Sequence, residues 1–395
     1  MSTPTPRSRP SSGTALAEPA GARRLLFISN GYGEDSIAAE IIRRLPSGVI
    51  AEAYPTIGEG LAYRSVCPIV GPRARLASEG WRNVKGSLWR DIATGGLATI
   101  VPGIRFGRRA RGHYDRAVVV GDLAGIAGCF VTGNSGVVYL DVYKTGYGRL
   151  YSPLERWLIR RTATVSFCRS DRLAQSLREV GADARFVGNV MMDTISYGDY
   201  DALARRSRPT AVTLLPGSRQ FTAESFALQI EALRLLPLAE RPAIFLAAAS
   251  NLSLEELARA AGLDRRGPMT GEAGDAGMFT GAGLVVHVAR GATGNLIEAA
   301  DVVLSQAGTA TIQALGLGKP VITFIQPRDR PSRVRDENAL FGEARLALAP
   351  EAPGIAAALG RLLADPAERA RLGAIGRNRI GAPGAIDAIV AAILA

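Results

Sequence analysis

A short stretch after an apolar strand-like run carries the residue types best suited to ligand binding. Gly308, Thr309, Ala310 and Thr311 open a helical pattern, and Gln313 follows one turn later. A helix that begins with such small residues leaves its first N–H groups uncovered, and these donors and the peptide dipoles attract an anion such as a phosphate. An ordinary helix-capping turn inside an α/β domain would show the same pattern.

A second loop of this kind follows the strand-like run 211–215. Gly217 and Ser218 can offer backbone and hydroxyl donors, and the Arg219 guanidinium can direct two N–H bonds to a diphosphate. The stretch 305–320 contains neither the P-loop pattern nor the glycine pattern of dinucleotide-binding enzymes. A P-loop nucleotidase and a simple dinucleotide-binding enzyme are therefore both disfavoured.

The first half of the chain places carboxylates after strand-like runs. Asp122 follows the run 116–120, and Glu34 with Asp35 follows the run 24–29. Ligands of open α/β sheets bind beyond the carboxyl ends of the strands, so Asp122 could take a proton from an attacking hydroxyl, a role worth about 10²–10⁴ in rate. All three could instead cap helices, and for Glu34 and Asp35 capping is slightly favoured.

Residues 81–111 form a basic segment with apolar residues between the arginines. A segment of this kind suits the headgroup level of a membrane, where cations meet lipid phosphates and aromatic rings lie in the interface. A helix that packs its apolar face on the sheet and solvates its arginines is an equal alternative. The candidate membrane or acceptor residues are Trp81, Trp89, Arg105, Arg108 and Arg109.

Composition narrows the class of partner. The net charge of +11 favours an anionic partner, and the low aromatic content of 6% disfavours nucleic acid. Cys67, Cys129 and Cys168 have no paired spacing, so we expect neither disulfides nor a zinc cluster but a cytoplasmic protein. No apolar run is long enough to span a membrane, and no acidic cluster indicates a metal.

Strand-like and helix-like runs alternate along most of the chain, which predicts an α/β fold with two domains. Residues 1–22 lack the apolar core of a signal peptide and are expected to form a disordered tail. The expected units that follow are an N-terminal domain (23–196), a polar linker (197–209), a C-terminal domain (210–378) and a C-terminal helix (379–395).

Three motifs, by their order and spacing along the chain, resemble the lipid-A-disaccharide synthase family and, more distantly, the GT-B glycosyltransferases. They are Phe-Val-Gly-Asn-Val at 186–190, Leu-Leu-Pro-Gly-Ser-Arg at 214–219, and Gly-Thr-Ala-Thr-Ile-Gln-Ala at 308–314 with Gly-Lys-Pro after it. The resemblance is closest over residues 186–325. It implies two Rossmann-like, doubly wound domains that face each other across a cleft, with the C-terminal helix crossing back to the first domain.

The resemblance also implies roles for particular residues. A UDP-sugar donor would be held mainly by the C-terminal domain, through the 217–219 loop and the helix end at 308–311. Asp122 would match a proposed general base, and the basic segment would lie where the family has its membrane and acceptor surface. Gln313 departs from the family, which usually has a glutamate there to hold the ribose hydroxyls; an amide oxygen accepts more weakly.

The leading hypothesis is a metal-independent, inverting glycosyltransferase that moves a hexosamine-type sugar from a UDP-sugar to a lipid-linked acceptor. It would need no cofactor besides its substrates and could associate with the inner face of the cell membrane. A UDP-sugar 2-epimerase is the alternative enzyme. From another class, a non-catalytic binding protein associated with membrane or nucleic acid stays open because of Gln313. The sequence does not specify the sugar, the acceptor or the oligomeric state.

Overall fold

The computed structural model describes residues 22–73, 100–218 and 221–395. The strands of these residues are β1 (Arg23–Ser29), β2 (Val49–Pro55), β3 (Arg116–Gly121), β4 (Val137–Asp141), β5 (Ala163–Phe167), β6 (Ala184–Arg185), β7 (Ala211–Leu215), β8 (Ala243–Ala247), β9 (Asp264–Arg266), β10 (Asp275–Gly281), β11 (Leu284–Ala289), β12 (Val302–Ser305), β13 (Val321–Phe324) and β14 (Arg345–Leu348).

The helices alternate with these strands. They are α1 (Tyr32–Arg43), α2 (Ile100–Ala110), α3 (Leu123–Thr132), α4 (Pro153–Thr162), α5 (Asp171–Arg178), α6 (Thr222–Arg234), α7 (Leu254–Ala260), α8 (Thr293–Ala299), α9 (Thr309–Gly316), α10 (Pro331–Phe341), α11 (Ala352–Ala364), α12 (Pro366–Ile380) and α13 (Ala385–Leu394). No helix in the described part of the chain is long and apolar enough to cross a membrane.

The N-terminal sheet has the strand order β2-β1-β3-β4-β5-β6, and its neighbouring strands run parallel. Parallel strands are connected by helices that cover the faces of the sheet, so their residues are apolar on both sides. Every residue of β4 is buried for this reason.

The C-terminal sheet has the order β14-β13-β12-β7-β8-β11-β10-β9. Its strands are parallel from β14 to β11, and β10 pairs antiparallel with both β11 and β9. Each sheet has buried apolar clusters of its own. The chain therefore folds as two Rossmann-like α/β domains, which confirms the predicted fold class.

The last helix packs away from the domain that precedes it. Ile386, Ile389 and Ile393 of α13 are buried in the same cluster as Leu25 and Phe27 of β1. At the start of this helix, the carboxylate of Asp193 accepts the N–H groups of residues 384 and 386 over 2.5 and 2.8 Å. Helix α13 therefore ties the end of the chain to the N-terminal sheet.

The segment 197–209 differs from the polar linker that its composition predicted. Tyr200 is 1% exposed and shares a buried cluster with Ala211, Phe245 and Leu296 of the C-terminal domain. Burial of this ring removes a large apolar area from water, while the polar neighbours Asp199 and Asp201 stay exposed. The connection between the domains thus lies before this segment, near residues 189–196.

Candidate functional site

The two glycine-containing loops of the C-terminal domain leave its sheet side by side. After β7 the chain adds β8 on one side and later places β12 on the other, so the strand order reverses between β7 and β12. Leu215 lies opposite Ser305, and the N–H of Gln306 donates to the Leu215 carbonyl over 2.8 Å. Ligands of open α/β sheets bind at such a reversal, beyond the carboxyl ends of the strands.

The N-terminus of α9 lies beside this reversal of the strand order. Gly308 is its N-cap residue, and among the described residues no side chain caps the helix. A Cβ at Gly308 would meet no atom within 4 Å, and both Gly308 and Thr309 are exposed, with Ala310 half-buried. The N–H donors of the first turn and the positive end of the helix dipole can therefore meet an anion.

The neighbouring loop has a backbone that requires glycine. Gly217 has a φ of +103°, in the region that residues with a Cβ avoid. The Ser218 carbonyl accepts a 2.9 Å hydrogen bond from the Asn251 side chain, which comes from the loop after β8. Asn251 was not predicted, because nothing local connects it to Ser218. Arg219 lies outside the described residues.

Thr311 and Gln313 have contacts that differ from the predicted ligand contacts. Both are buried. The Thr311 hydroxyl bonds the Ser305 hydroxyl at 2.6 Å and donates to the Ala307 carbonyl at 2.5 Å, so it braces the turn that leads into α9. The Gln313 amide nitrogen donates to the Met191 carbonyl at 3.0 Å. Gln313 therefore joins α9 to the segment that connects the domains.

Asp122 lies at the corresponding reversal of the N-terminal sheet, between β1 and β3. Its Oδ1 accepts the Ala124 N–H over 2.8 Å, which makes it the N-cap of α3. The side chain is half-buried rather than enclosed. A Cβ at the preceding residue, Gly121, would collide with the amide oxygen of Asn30 at the end of β1. The predicted capping role is thus present, at a position that also faces the carboxyl end of the sheet.

Asp35 lies inside the domain and not on the surface of the crevice. It is 1% exposed, and the Ser29 hydroxyl donates to its Oδ1 over 2.6 Å. The same hydroxyl lies 2.7 Å from the Tyr63 hydroxyl, and no described residue bonds the Asp35 Oδ2. The carboxylate therefore lies away from the surface at which a contact with substrate was predicted. Glu34 is half-buried and folds back against Gly31.

The loop after β4 begins in the N-terminal sheet and contacts the C-terminal domain. Asp141, at the end of β4, is buried and accepts the N–H of Tyr143 over 2.7 Å, and burial raises its pKa. Farther along, Tyr147 packs against the C-terminal domain, and the Arg379 guanidinium lies 5.0 Å from its ring centroid. A Cβ at Gly148 would collide with the Asp336 carboxylate of α10. The loop after β4 therefore spans the two domains.

The basic surface consists of three helices that pack in succession: α2 contacts α3, and α3 contacts α4. Arg105, Arg108 and Arg109 of α2 are exposed. On the adjacent helices, the exposed rings of Phe130 and Trp157 have centroids 5.4 Å apart. This surface combines cations with exposed aromatic groups. Trp81 and Trp89, which were predicted to belong to it, lie outside the described residues.

Solved structures share this fold. The MnaA–UDP complex of S. aureus has a TM-score of 0.58 at 15% identity over 94% of this chain and 96% of the other. A UDP-N-acetylglucosamine 2-epimerase has a TM-score of 0.55 at 14% identity, over 93% of this chain and 94% of the other. The glycosyltransferase SnogD of Streptomyces nogalater has a TM-score of 0.53 at 19% identity, over 94% of this chain and 99% of the other.

These likenesses extend over nearly the whole of each chain, so they concern both domains together. The fold is GT-B. No family model and no curated protein matches the sequence. The resemblance to lipid-A-disaccharide synthases therefore stays a prediction.

The burial of Asp35 predicts a pH-dependent stability. Burial raises its pKa from an ordinary 3.8 to about 7, so the folded protein holds a proton that the unfolded chain has lost, and stability falls as the pH rises from about 4 to 7. Asp35→Asn removes this pH-dependent loss of stability. The free energy of unfolding of the variant minus that of the unmodified protein should therefore be about 2–3 kcal/mol larger at pH 8 than at pH 5, as measured in urea titrations.

The exposed Asp199 offers a matched control, since Asp199→Asn makes the same chemical change at the surface. This control should show no such increase. An Asp35→Asn difference that is equal at the two pH values would contradict a buried, protonated Asp35.

Proposed function

We propose that this chain is a glycosyltransferase that transfers a hexosamine-type sugar from a UDP-sugar to a lipid-linked acceptor. The observation that carries the proposal is the uncapped end of α9 beside the Gly217 loop, at the strand-order reversal of the C-terminal domain. Two solved structures with the same fold support a UDP-sugar as the donor: one contains UDP, and the other is a UDP-N-acetylglucosamine 2-epimerase. SnogD supports transfer of a sugar.

In this proposal the C-terminal domain stabilises the leaving group. As the bond from the anomeric carbon to the diphosphate breaks, negative charge grows on the diphosphate oxygens. The N–H groups of Thr309 and Ala310 are already fixed at the helix end, so they meet that charge without having to reorganise. The Ser218 hydroxyl adds a donor from the neighbouring loop, and Arg219 is a further donor by its residue type. Fixed donors of this kind favour the transition state over the bound donor.

The N-terminal domain supplies the base. The acceptor hydroxyl attacks the anomeric carbon while its proton passes to Asp122, and UDP departs with the electron pair of the broken bond. One carboxylate oxygen of Asp122 already accepts the Ala124 N–H, which fixes the direction of the side chain. Attack opposite to the leaving group inverts the configuration at the anomeric carbon.

The surface of α2, α3 and α4 supports a lipid-linked acceptor and a peripheral position on a membrane. Cations attract anionic headgroups, and tryptophan and phenylalanine rings favour the interface. Arg108 and Arg109 lie on the same domain as Asp122, so a lipid held there would present its headgroup to the domain that carries the base.

A UDP-sugar 2-epimerase is the second candidate, because a structure of that name shares the fold. An epimerase converts the donor without a second substrate. Incubation of the protein with UDP-N-acetylglucosamine alone, followed by separation of the sugars, distinguishes the two candidates. Appearance of the 2-epimer would favour the epimerase.

Substitution at Gly308 tests the donor site. Its φ of −80° and open surroundings accept a side chain, so Gly308→Ala should bind UDP much as the unmodified protein does. Gly308→Asp places a carboxylate at the helix end, where it caps α9 and repels the diphosphate. We expect Gly308→Asp to weaken UDP binding by at least about tenfold in calorimetry while its Tm is kept or raised. Equal UDP affinity in the two folded variants would contradict the site.

Substitution at Asp122 tests the base. Asp122→Asn keeps the oxygen that caps α3 and loses the ability to take a proton, so the fold and the affinity for UDP should stay unchanged. Turnover, followed as UDP released from UDP-N-acetylglucosamine, should fall by about 10²–10⁴. A variant that releases UDP at the original rate would remove Asp122 from the mechanism.

Vesicle binding tests the membrane surface. Arg108→Ala with Arg109→Ala should weaken sedimentation with vesicles of anionic phospholipid by about fivefold per residue at moderate salt. The matched control is Arg259→Ala with Arg361→Ala, two exposed arginines of the other domain. An equal loss in both pairs would show that only net charge matters, and would contradict a localised surface.

A further inference from the structure

Phe221 has a backbone conformation that its side chain disfavours. It precedes the first residue of α6 with a φ of +68°, in the left-handed region that a bulky residue rarely enters. Its ring is 44% exposed, so burial in a core does not offset this strain. Strain of this kind gathers where ligands bind.

The ring is covered by a cation from another loop. The Arg328 guanidinium carbon lies 3.4 Å from the Phe221 ring centroid, and its NH1 lies 3.7 Å from the carboxylate of Glu224 in the first turn of α6. The Arg328 and Glu224 side chains are 40% and 66% exposed. Exposed contacts of these two kinds are weak, so Arg328 can leave them at little cost.

The strand order places this contact at the same edge of the sheet as the candidate donor site. Arg328 follows β13 and Phe221 follows β7, while β12 lies between those two strands. Their contact therefore joins the loops on either side of β12, the strand that leads into Gly308 and α9. The Gln306 side chain joins that loop to β13, since its amide nitrogen donates to the Phe324 carbonyl over 2.7 Å. A guanidinium is thus held by Phe221 and Glu224 at the edge of the sheet from which α9 begins.

We propose that Arg328 is a diphosphate-binding residue and that it packs on the Phe221 ring only while no ligand is bound. When a nucleoside diphosphate enters, Arg328 leaves the ring and the Glu224 carboxylate and bonds the phosphate oxygens. Guanidinium–phosphate hydrogen bonds are charge-assisted and two-pronged, so they exceed the exposed contacts that are given up. This inference rests on the proposed function, and it adds a residue from the loop after β13 to the donor site.

The test is calorimetry of the full chain with UDP and with UMP. Arg328→Met keeps the length of the side chain and removes its charge, and should weaken UDP binding by about tenfold or more. Binding of UMP should change by less than about threefold, because Arg328 meets the second phosphate. Arg335→Met, at an exposed arginine on α10, makes the same charge change and should leave both affinities unchanged.

Phe221→Leu shows whether Arg328 leaves the Phe221 ring when UDP binds or needs that ring as a fixed structural contact. Without the ring, Arg328 stays available, so UDP should bind as tightly as before or more tightly. The proposal is overturned if Arg328→Met binds UDP as tightly as the unmodified protein does, or if its affinities for UDP and UMP fall equally. It is also overturned if Phe221→Leu weakens UDP binding as much as Arg328→Met does. Failure of the unmodified protein to bind UDP would instead overturn the proposed function, and this inference with it.

Discussion

The N–H groups in the first turn of α9 have no described side chain to satisfy them, and the rest of the candidate site depends on that fact. They point out of the sheet at the place where its strand order reverses, beside a loop whose Gly217 adopts a left-handed backbone. The Thr311 hydroxyl fixes the turn before α9 by hydrogen bonds to the Ser305 hydroxyl and the Ala307 carbonyl. An uncapped helix end costs stability, and an anion that binds there recovers it.

The same helix also connects the domains. Gln313 bonds the segment between the domains on the inner side of α9, while Tyr147 reaches the C-terminal domain from the loop after β4. Helix α13 then returns to the N-terminal sheet. The candidate donor site at α9 and the proposed base Asp122 are therefore positioned relative to each other by several contacts. Small shifts of this geometry would be expected to affect catalysis, since reacting groups must approach closely.

The sequence predicted the fold and the two loops because strand, glycine and helix signals are local. It did not predict contacts that depend on how distant segments pack. Thr311 and Gln313 have types suited to ligands, yet the packing of α9 turns them inward. Asp35 was a candidate for a substrate contact or for helix capping, with capping slightly favoured, and the structure buries it beside Ser29 and Tyr63. Tyr200 lies in a polar run of the sequence but is buried in a cluster of the C-terminal domain. The contact of Arg328 with Phe221 joins residues far apart in sequence, and no local pattern signals it.

A structure determined with UDP bound tests the central claim most directly. We expect diphosphate density at the N-terminus of α9, with phosphate oxygens about 3 Å from the backbone nitrogens of Thr309 or Ala310 and the Gly217 loop on the other side. A diphosphate located at another place, or no density at this helix end at saturating UDP, would contradict the proposed donor site.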